Sequence, residues 1–443
     1  MKKILCILMI TIGVNHLFAQ LSVLTDHLNT VIGVSVDEGG NKWVTDQGTG
    51  QNDGQVIVVS KTGKKSVAFN HLPSKISEEG DAISAWKVIH MSYGRKALLM
   101  GGNGHLGTDY GKLVFFDLAG FVPGTSAPKT MADSTHSYDI QAFGRVVSGK
   151  DDSDPFSAVQ DEDGNWFIAD AAADAIIRIS RNGKNRSVLA KFNGIPNPTP
   201  IGGPFIDVVP TGIIALPNYG GFLVTTLTGF PFLNGLASIY KVDRDGTVTP
   251  YLKGLTLLTD IAMDQDKTIY VNQFGKFSLP NGFVFGSGQV IRIRDHHIID
   301  TIARGYGPGP GLAVFQGRKL YVTSLFTGEM LGMDIPIATQ SASSSLIGQL
   351  ETRESAFSKS LSLSTYPNPV SDLLQVAWNR QLESGEAQLQ ITDLNGRSIW
   401  QQNNVNVADG SKRINVSAFV PGSYIFTLNT KSGSSNQKFN VVR

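Results

Sequence analysis

Residues 153–192, SDPFSAVQDEDGNWFIADAAADAIIRISRNGKNRSVLAKF, decide the fold. They contain four short apolar or alternating runs, FSAVQ, NWFIAD, AIIRIS and RSVLAKF. Tight turns at Asp163-Gly164 and Asn182-Gly183 separate the first run from the second and the third from the fourth. Apolar runs joined by Asp-Gly and Asn-Gly turns predict antiparallel strands. The stretch therefore predicts one sheet of four strands.

The same order of runs recurs along the chain. Further copies occupy residues 35–69, 90–120, 215–252, 262–305 and 313–334. Repeated units of four short antiparallel strands are typical of propeller blades. The sequence thus predicts an all-β fold with a six-bladed β-propeller of four-stranded antiparallel blades.

The last copy lacks a fourth strand. The stretch LSVLTDHLNT, from Leu21, matches the fourth-strand stretches SVLAKFNG at 187–194 and SVAFNHLP at 66–73. We expect this N-terminal strand to complete the last blade and to close the ring, which leaves no open sheet edge.

Composition sets the number of domains and excludes several kinds of chemistry. The chain has 443 residues, 41% of them hydrophobic and 17% charged, which suffices for two globular domains. Its net charge of +1 indicates no nucleic-acid partner. The single cysteine, Cys6, lies in the N-terminal apolar run, which excludes disulfides and cysteine-based zinc sites from the rest of the chain.

Both ends of the chain carry export signals in the sequence. Lys2 and Lys3 precede the run ILCILMITIGV, which predicts a signal peptide over residues 1–19. No later run reaches the roughly 18 apolar residues that a transmembrane helix needs. We expect the propeller at 20–335, a flexible linker rich in serine and threonine at 336–362, and a small Ig-like β-sandwich at 363–443.

Long loops on one face of the propeller are the first candidate site. The loops between second and third strands and the connections between blades are long and leave the same face, where binding sites usually form. The loop TLTGFPFLNGLA at 226–237 supplies the candidates Leu227, Thr228, Phe230, Pro231 and Phe232. The alternative is a set of variable surface loops that bind nothing.

Four aspartates form a second candidate site. Asp81, Asp154, Asp207 and Asp260 stand where blade connections enter the first strands, near the propeller axis. A ring of carboxylates there would hold a hard cation such as calcium. The alternative is that each aspartate accepts backbone N–H bonds and stabilises its own turn. No HExxH, GxSxG or P-loop pattern occurs, so no catalytic residue is assigned.

One internal stretch resembles a known family. Residues 205–242 contain the elements VPTG at 209–212 and LTGFPF at 227–232, and they resemble the ScyD/ScyE family of exported propeller proteins. The likeness extends more loosely over residues 35–334. It implies an exported six-bladed propeller and no particular reaction.

The tail resembles the C-terminal sorting domain of type IX (Por) secretion cargo. Its elements, in chain order, are Tyr366, Pro367, Asn368, Pro369, Asp393, Gly396, Arg397, Gly422, Tyr424 and Lys438. The resemblance implies passage through the Sec pathway to the periplasm, recognition by the type IX machinery, removal of the tail, and attachment to the cell surface or release.

Three functions fit these observations. The first is a secreted or surface-displayed binding module for a small molecule, glycan or protein, without catalysis. The second is a metal-dependent enzyme of the lactonase or lyase kind with an axial cation. The third is a structural component of an extracellular assembly.

The sorting interpretation predicts the location of a truncated chain. Deletion of residues from Leu363 onward should leave the propeller in the periplasm of a type IX-competent host, because the signal for outer-membrane passage is lost. Cell fractionation with immunoblotting, with the full chain as the control, measures this location. Continued export of the truncated chain would contradict the interpretation.

Overall fold

The computed structural model describes residues 21–78, 80–102, 106–278, 282–325, 327–336, 363–366, 370–378, 386–393, 397–406, 411–430 and 433–442. The predicted signal peptide and nearly all of the predicted linker lie outside the described residues. Among the described helices, none is long and apolar enough to span a membrane.

Thirty strands precede the linker in the described part of the chain. They are β1 (Ser22–Thr25), β2 (Val31–Val36), β3 (Lys42–Asp46), β4 (Gly54–Val59), β5 (Lys65–Leu72), β6 (Lys75–Ile76), β7 (Ala82–Ile83), β8 (Ala85–His90), β9 (Arg95–Met100), β10 (Lys112–Asp117), β11 (His136–Asp139), β12 (Pro155–Gln160), β13 (Trp166–Asp170), β14 (Ala175–Ile179), β15 (Arg186–Lys191), β16 (Ile195–Pro196), β17 (Phe205–Ile206), β18 (Pro210–Ala215), β19 (Phe222–Thr226), β20 (Ala237–Val242), β21 (Val248–Leu255), β22 (Leu258–Met263), β23 (Ile269–Gln273), β24 (Lys276–Ser278), β25 (Gly282–Val284), β26 (Gly288–Arg294), β27 (His297–Tyr306), β28 (Leu312–Phe315), β29 (Lys319–Ser324) and β30 (Glu329–Asp334). One helix, α1 (Gln141–Ser148), and two 3₁₀ turns, Ser92–Gly94 and Met131–Asp133, complete the elements of this part.

These strands form six four-stranded antiparallel sheets within the described residues. Sheets 1 to 6 have the orders β2-β3-β4-β5, β8-β9-β10-β11, β12-β13-β14-β15, β18-β19-β20-β21, β22-β23-β26-β27 and β28-β29-β30-β1. The first strands β2, β8, β12, β18, β22 and β28, called the inner strands below, each contact the next, and β28 contacts β2. This cyclic order is propeller-like, and the predicted all-β fold of four-stranded antiparallel sheets is confirmed.

The two ends of this ring are joined by the N-terminal strand. In β1, Ser22 pairs with Gly332 and Val23 with Leu331, both in β30. Leu24 packs into the apolar cluster between sheets 6 and 1. The N-terminal strand therefore completes the last sheet, as the sequence predicts.

Glycines allow the inner strands to lie side by side. A Cβ atom at Gly33 would stand 2.1 Å from the carbonyl oxygen of Trp86 in sheet 2. At Gly311 it would stand 2.5 Å from the carbonyl oxygen of Ile32 in sheet 1. Real side chains do not approach backbone atoms so closely, so these positions require glycine.

Threonine hydroxyls form hydrogen bonds across the same contacts between inner strands. Thr45 accepts the Gly33 N–H at 2.8 Å and donates to the Trp86 carbonyl at 3.2 Å. Thr323 repeats this between sheets 6 and 1, with 2.8 Å to the Gly311 N–H and 2.9 Å to the Ile32 carbonyl. Each hydroxyl thus satisfies a donor in its own sheet and an acceptor in the next.

Apolar side chains fill the space between successive sheets. Six separate clusters of buried residues lie one between each neighbouring pair of the described sheets. Phe167 and Phe222, 4.3 Å apart between ring centroids, are an example between sheets 3 and 4. Because both faces of each sheet are covered, the second strands β3, β13, β19 and β23 are buried throughout.

The described part of the tail forms two sheets with a core of its own. Its strands are β31 (Leu363–Tyr366), β32 (Leu373–Trp378), β33 (Glu386–Asp393), β34 (Ser398–Asn406), β35 (Ser411–Asn415), β36 (Gly422–Thr430) and β37 (Gly433–Val441). The sheet orders are β31-β32-β35 and β34-β33-β36-β37, and Trp378, Phe426 and Phe439 lie in the shared core. The Tyr424 hydroxyl donates to the Val420 carbonyl at 2.7 Å, which is the corner contact of Ig-like sandwiches.

The contact between inner strands yields a prediction for stability. Gly33→Ala should lower the free energy of unfolding by about 1–3 kcal/mol or more, since the added methyl group meets the Trp86 carbonyl. The control is Gly203→Ala, where the nearest atom to the new Cβ is 3.7 Å away. Urea unfolding of both variants measures the difference, and equal losses would contradict this account of ring closure.

Candidate functional site

An ion pair occupies the axis of the ring. Lys87 in β8 places its Nζ 2.7 and 3.0 Å from the two carboxylate oxygens of Asp260 in β22. The same carboxylate accepts the backbone N–H of Leu312 at 3.1 Å. The Asp260 side chain is only 5% exposed, so its charge is neutralised inside the protein by lysine.

Little space remains beside this pair. The cavity between the inner strands has a volume of about 10 Å³, and the edge contact of Trp86 with Phe156, at 4.7 Å, forms part of its wall. Such a volume holds about one water molecule. This cavity is therefore too small for an organic substrate.

The four predicted aspartates occupy different surroundings. Asp260 lies at the axis, whereas Asp207 is half exposed and pairs with Lys150 at 2.8 Å. The backbone carbonyl of Asp81 accepts the Ser77 N–H, and that of Asp154 accepts the Ala171 N–H, at 2.8 Å each. The described residues contain no group of three or more His, Cys, Asp or Glu side chains that could hold a metal ion. The structure therefore does not bring the four aspartates together as a cation site.

Two other aspartates bind the backbone where sheets connect. Asp46 ends β3, and its Oδ1 accepts the N–H groups of Asn29 and Thr30 at 3.2 and 3.1 Å. Asp170 ends β13 and accepts the Asp154 N–H at 2.9 Å and the Ser153 hydroxyl at 2.6 Å. Burial raises the pKa of Asp170 above its usual range. Asp46 and Asp170 thus bind backbone and hydroxyl donors at sheet connections, and Asp260 likewise accepts the N–H groups of Ile261 and Leu312.

A serine and a histidine also meet, between sheets 1 and 2. Ser35 Oγ lies 2.9 Å from His90 Nε2. Burial, assisted by the positive charge of Lys96, lowers the pKa of His90 to about 3. An imidazole with so low a pKa is a poor general base near pH 7, so the pair does not have the basicity that activation of a serine nucleophile requires.

Phenylalanines gather on the loop face, which carries the loops between second and third strands. Phe232, from the loop of sheet 4, has its ring centroid 5.1 Å from that of Phe277 and 5.4 Å from that of Phe283. Phe277 and Phe283 lie on the hairpin β24-β25 in the corresponding loop of sheet 5. Phe274 completes the group, 5.0 Å from Phe283. The cluster thus joins the loops of two neighbouring sheets.

A surface depression, called the aromatic groove here, borders this cluster. Its volume is about 130 Å³, and its walls are Thr199, Ile201, Pro231, Phe232, Leu233, Asn234, Phe277 and Ser278. None of these described wall residues is charged. Ile201 and Phe230 remain 43% and 49% exposed, so the groove and its surroundings present apolar surface to solvent.

Two asparagines hold the walls in place. The Asn197 amide donates to the Ile201 and Gly203 carbonyls at 2.7 and 2.8 Å. The Asn234 amide bonds the backbone N–H and carbonyl of Phe277 at 3.4 and 3.3 Å, which links the loop of sheet 4 to the hairpin of sheet 5. Loops tied to one another in this way are preorganised for binding.

One hydroxyl in the wall lacks a partner. Ser278 Oγ is buried and makes no hydrogen bond with the described residues. A buried polar atom without a partner costs free energy, which a ligand group placed beside it would recover. The aromatic groove thus combines ring surfaces, an amide and hydroxyl groups, without an acid or a base.

The predicted loop residues divide into two roles. Pro231 and Phe232 line the aromatic groove, and Phe230 lies 6.1 Å from Phe232 between ring centroids. Leu227 and Thr228 instead donate backbone N–H groups to Val209 and Val208 at 2.9 and 3.1 Å. They fix the base of the loop.

The hairpin residues were not predicted as site residues. The stretch FGKFSLPNGFVF at 274–285 has four phenylalanines in one long loop, which is a usable signal. Apolar rings in a loop are costly to expose unless they pack or bind.

The sorting residues that the structure describes lie in the tail sheets. Arg397 donates its backbone N–H to Asp393 Oδ1 at 2.9 Å and its Nε to Asp393 Oδ2 at 3.2 Å, which closes a turn. Gly422 and Tyr424 begin β36, Tyr366 ends β31 and Lys438 lies in β37. Pro367, Asn368, Pro369 and Gly396 lie outside the described residues.

The axial ion pair predicts unequal costs for two lysine substitutions. Lys87→Met should lower the free energy of unfolding by about 3–5 kcal/mol, because it leaves the buried Asp260 without a counter-ion. Lys150→Met removes the partner of half-exposed Asp207 and should cost less than about 1 kcal/mol. Thermal or urea unfolding measures both, and similar losses would show that the axial pair is not a structural element.

Comparison with known proteins identifies the tail. Residues 364–442 match the family model described as "Secretion system C-terminal sorting domain". This domain indicates type IX export to the cell surface or the extracellular space, and it implies an interaction with the type IX machinery. No curated protein sequence matches the chain.

Solved structures resemble the propeller-like part. The calcium-binding protein regucalcin from Agrobacterium tumefaciens strain C58 is 12% identical, covering 73% of this chain and 96% of its own, with a TM-score of 0.43. A luciferin-regenerating enzyme is 10% identical, covering 72% and 96%, with a TM-score of 0.46. Virginiamycin B lyase from Staphylococcus aureus is 14% identical, covering 72% and 99%, with a TM-score of 0.41. These likenesses concern the fold alone.

Proposed function

We propose that this protein is an exported binding module that holds its ligand in the aromatic groove and does not transform it. The observation that carries the proposal is the groove itself, whose lining rings are half-buried while asparagine amides bond its walls. Rigid aromatic walls bind with little loss of conformational entropy. A surface of this kind is suited to recognition.

The surroundings of the titratable groups support binding over catalysis. Asp260 is neutralised by Lys87 at an axis with little free space, and the low pKa of His90 makes that side chain a weak base. The walls of the aromatic groove contain no acid or base. Catalysis of proton transfer needs such groups within hydrogen-bond reach of the substrate.

Export places the ligand outside the cell. We propose that residues 1–19 direct the chain through the Sec pathway and that the sorting domain then takes it across the outer membrane and is removed. The propeller domain at 20–335 is the part that remains to bind. Whether it stays on the surface or is released, it meets extracellular molecules.

The proposal predicts saturable binding that depends on the groove. The purified full chain should bind at least one ligand from panels of oligosaccharides, peptides and lactones in isothermal titration calorimetry. Phe277→Ala should weaken that binding at least tenfold, because it removes a half-buried ring from the wall of the groove. The control is Tyr219→Ala, an exposed aromatic residue outside the groove, which should leave affinity unchanged.

The enzyme alternative gives the opposite results. Turnover of a lactone together with a lower melting temperature in EDTA would overturn the proposal and favour a catalytic axial cation. Binding that Phe277→Ala does not weaken would show that the ligand binds outside the aromatic groove.

A further inference from the structure

The aromatic groove has walls without charge. Its described lining consists of aliphatic and aromatic side chains, two hydroxyls and one amide. A charged ligand would lose hydration there without gaining an ionic partner. The groove therefore favours an uncharged ligand.

The walls offer polar groups as well as rings. Ser278 Oγ is buried without a partner among the described residues, and the hydroxyl of Thr199 and the amide of Asn234 stand in the same lining. A purely apolar ligand would leave the Ser278 hydroxyl unsatisfied. The ligand that fits best has hydroxyl groups at its edge and C–H groups on its face.

The size of the groove limits what enters it. A volume of about 130 Å³ is well below the roughly 300–1,000 Å³ of pockets that enclose a whole drug-sized ligand. It is suited to a single ring. Because Ile201 and Asn234 are exposed at its border, a longer molecule can continue from that ring into solvent.

We infer that the aromatic groove binds one pyranose ring of a neutral glycan. A pyranose has C–H groups on its faces, which pack against Phe232 and Phe277, and equatorial hydroxyls at its edge, which bond Ser278 and its neighbours. This inference rests on the proposed function and names the ligand class of the same site. Its natural source is an uncharged extracellular polysaccharide, since the chain is exported.

Affinity electrophoresis of the full chain tests the inference. Native gels containing soluble neutral polysaccharides, namely β-glucan, α-mannan or xyloglucan, should retard the protein, whereas gels containing alginate or polygalacturonate should not. Retardation should be unchanged between about 50 and about 500 mM NaCl, a range over which exposed charge pairs are increasingly screened. A salt-sensitive shift would mean ionic binding and would overturn the inference.

Variants connect the retardation to the groove. Phe277→Ala should weaken binding at least tenfold and Ser278→Ala several-fold, while Tyr219→Ala should behave as the wild type. Melting temperatures close to that of the wild type will show that the variants fold. If Phe277→Ala does not fold, Ser278→Ala still tests the groove. Retardation that neither groove variant weakens would overturn the inference.

The remaining outcomes separate this inference from the proposed function. A proline-rich peptide or an acidic glycan that binds in a Phe277-dependent way, with no neutral glycan bound, overturns the inference and leaves the binding module in place. No Phe277-dependent ligand in any panel overturns both.

Discussion

The structure depends on how closely the inner strands approach one another. Gly33 and Gly311 have no Cβ atom to meet the carbonyl group of the neighbouring sheet, and Thr45 and Thr323 bond that carbonyl. The first contact joins sheets 1 and 2, which follow each other in the chain, and the second joins sheets 6 and 1, from its opposite ends. These glycines and threonines therefore set the spacing of the inner strands between sheets 1 and 2 and between sheets 6 and 1, and the apolar clusters pack beside these contacts.

Close packing at the centre also decides where ligands can bind. The inner strands leave a space of about 10 Å³, and the Lys87 ammonium already neutralises Asp260. A buried carboxylate paired in this way depends on its counter-ion to compensate its charge. The loop face, by contrast, accepts insertions that do not disturb the inner strands.

The aromatic groove is lined in part by such an insertion. The hairpin β24-β25 interrupts sheet 5 between its second and third strands and carries Phe277 against Phe232 of sheet 4. Asn234 bonds the backbone of this hairpin and so connects the two loops. The sorting domain has a core and sheets of its own. The sorting residues and the groove residues consequently lie in different parts of the chain.

The sequence by itself determined the four-stranded sheets, because they follow from local alternation and Asp-Gly or Asn-Gly turns. It also determined that the N-terminal strand completes the last sheet, because that strand resembles the fourth strands of other sheets. It also placed Pro231 and Phe232 in a candidate loop and identified the sorting tail. Only the tertiary structure decided that Lys87 pairs with Asp260, 173 positions away, and that Phe277 meets Phe232. Those contacts depend on the relative position of two sheets, and no local pattern in the chain encodes which side chains two separate strands bring together.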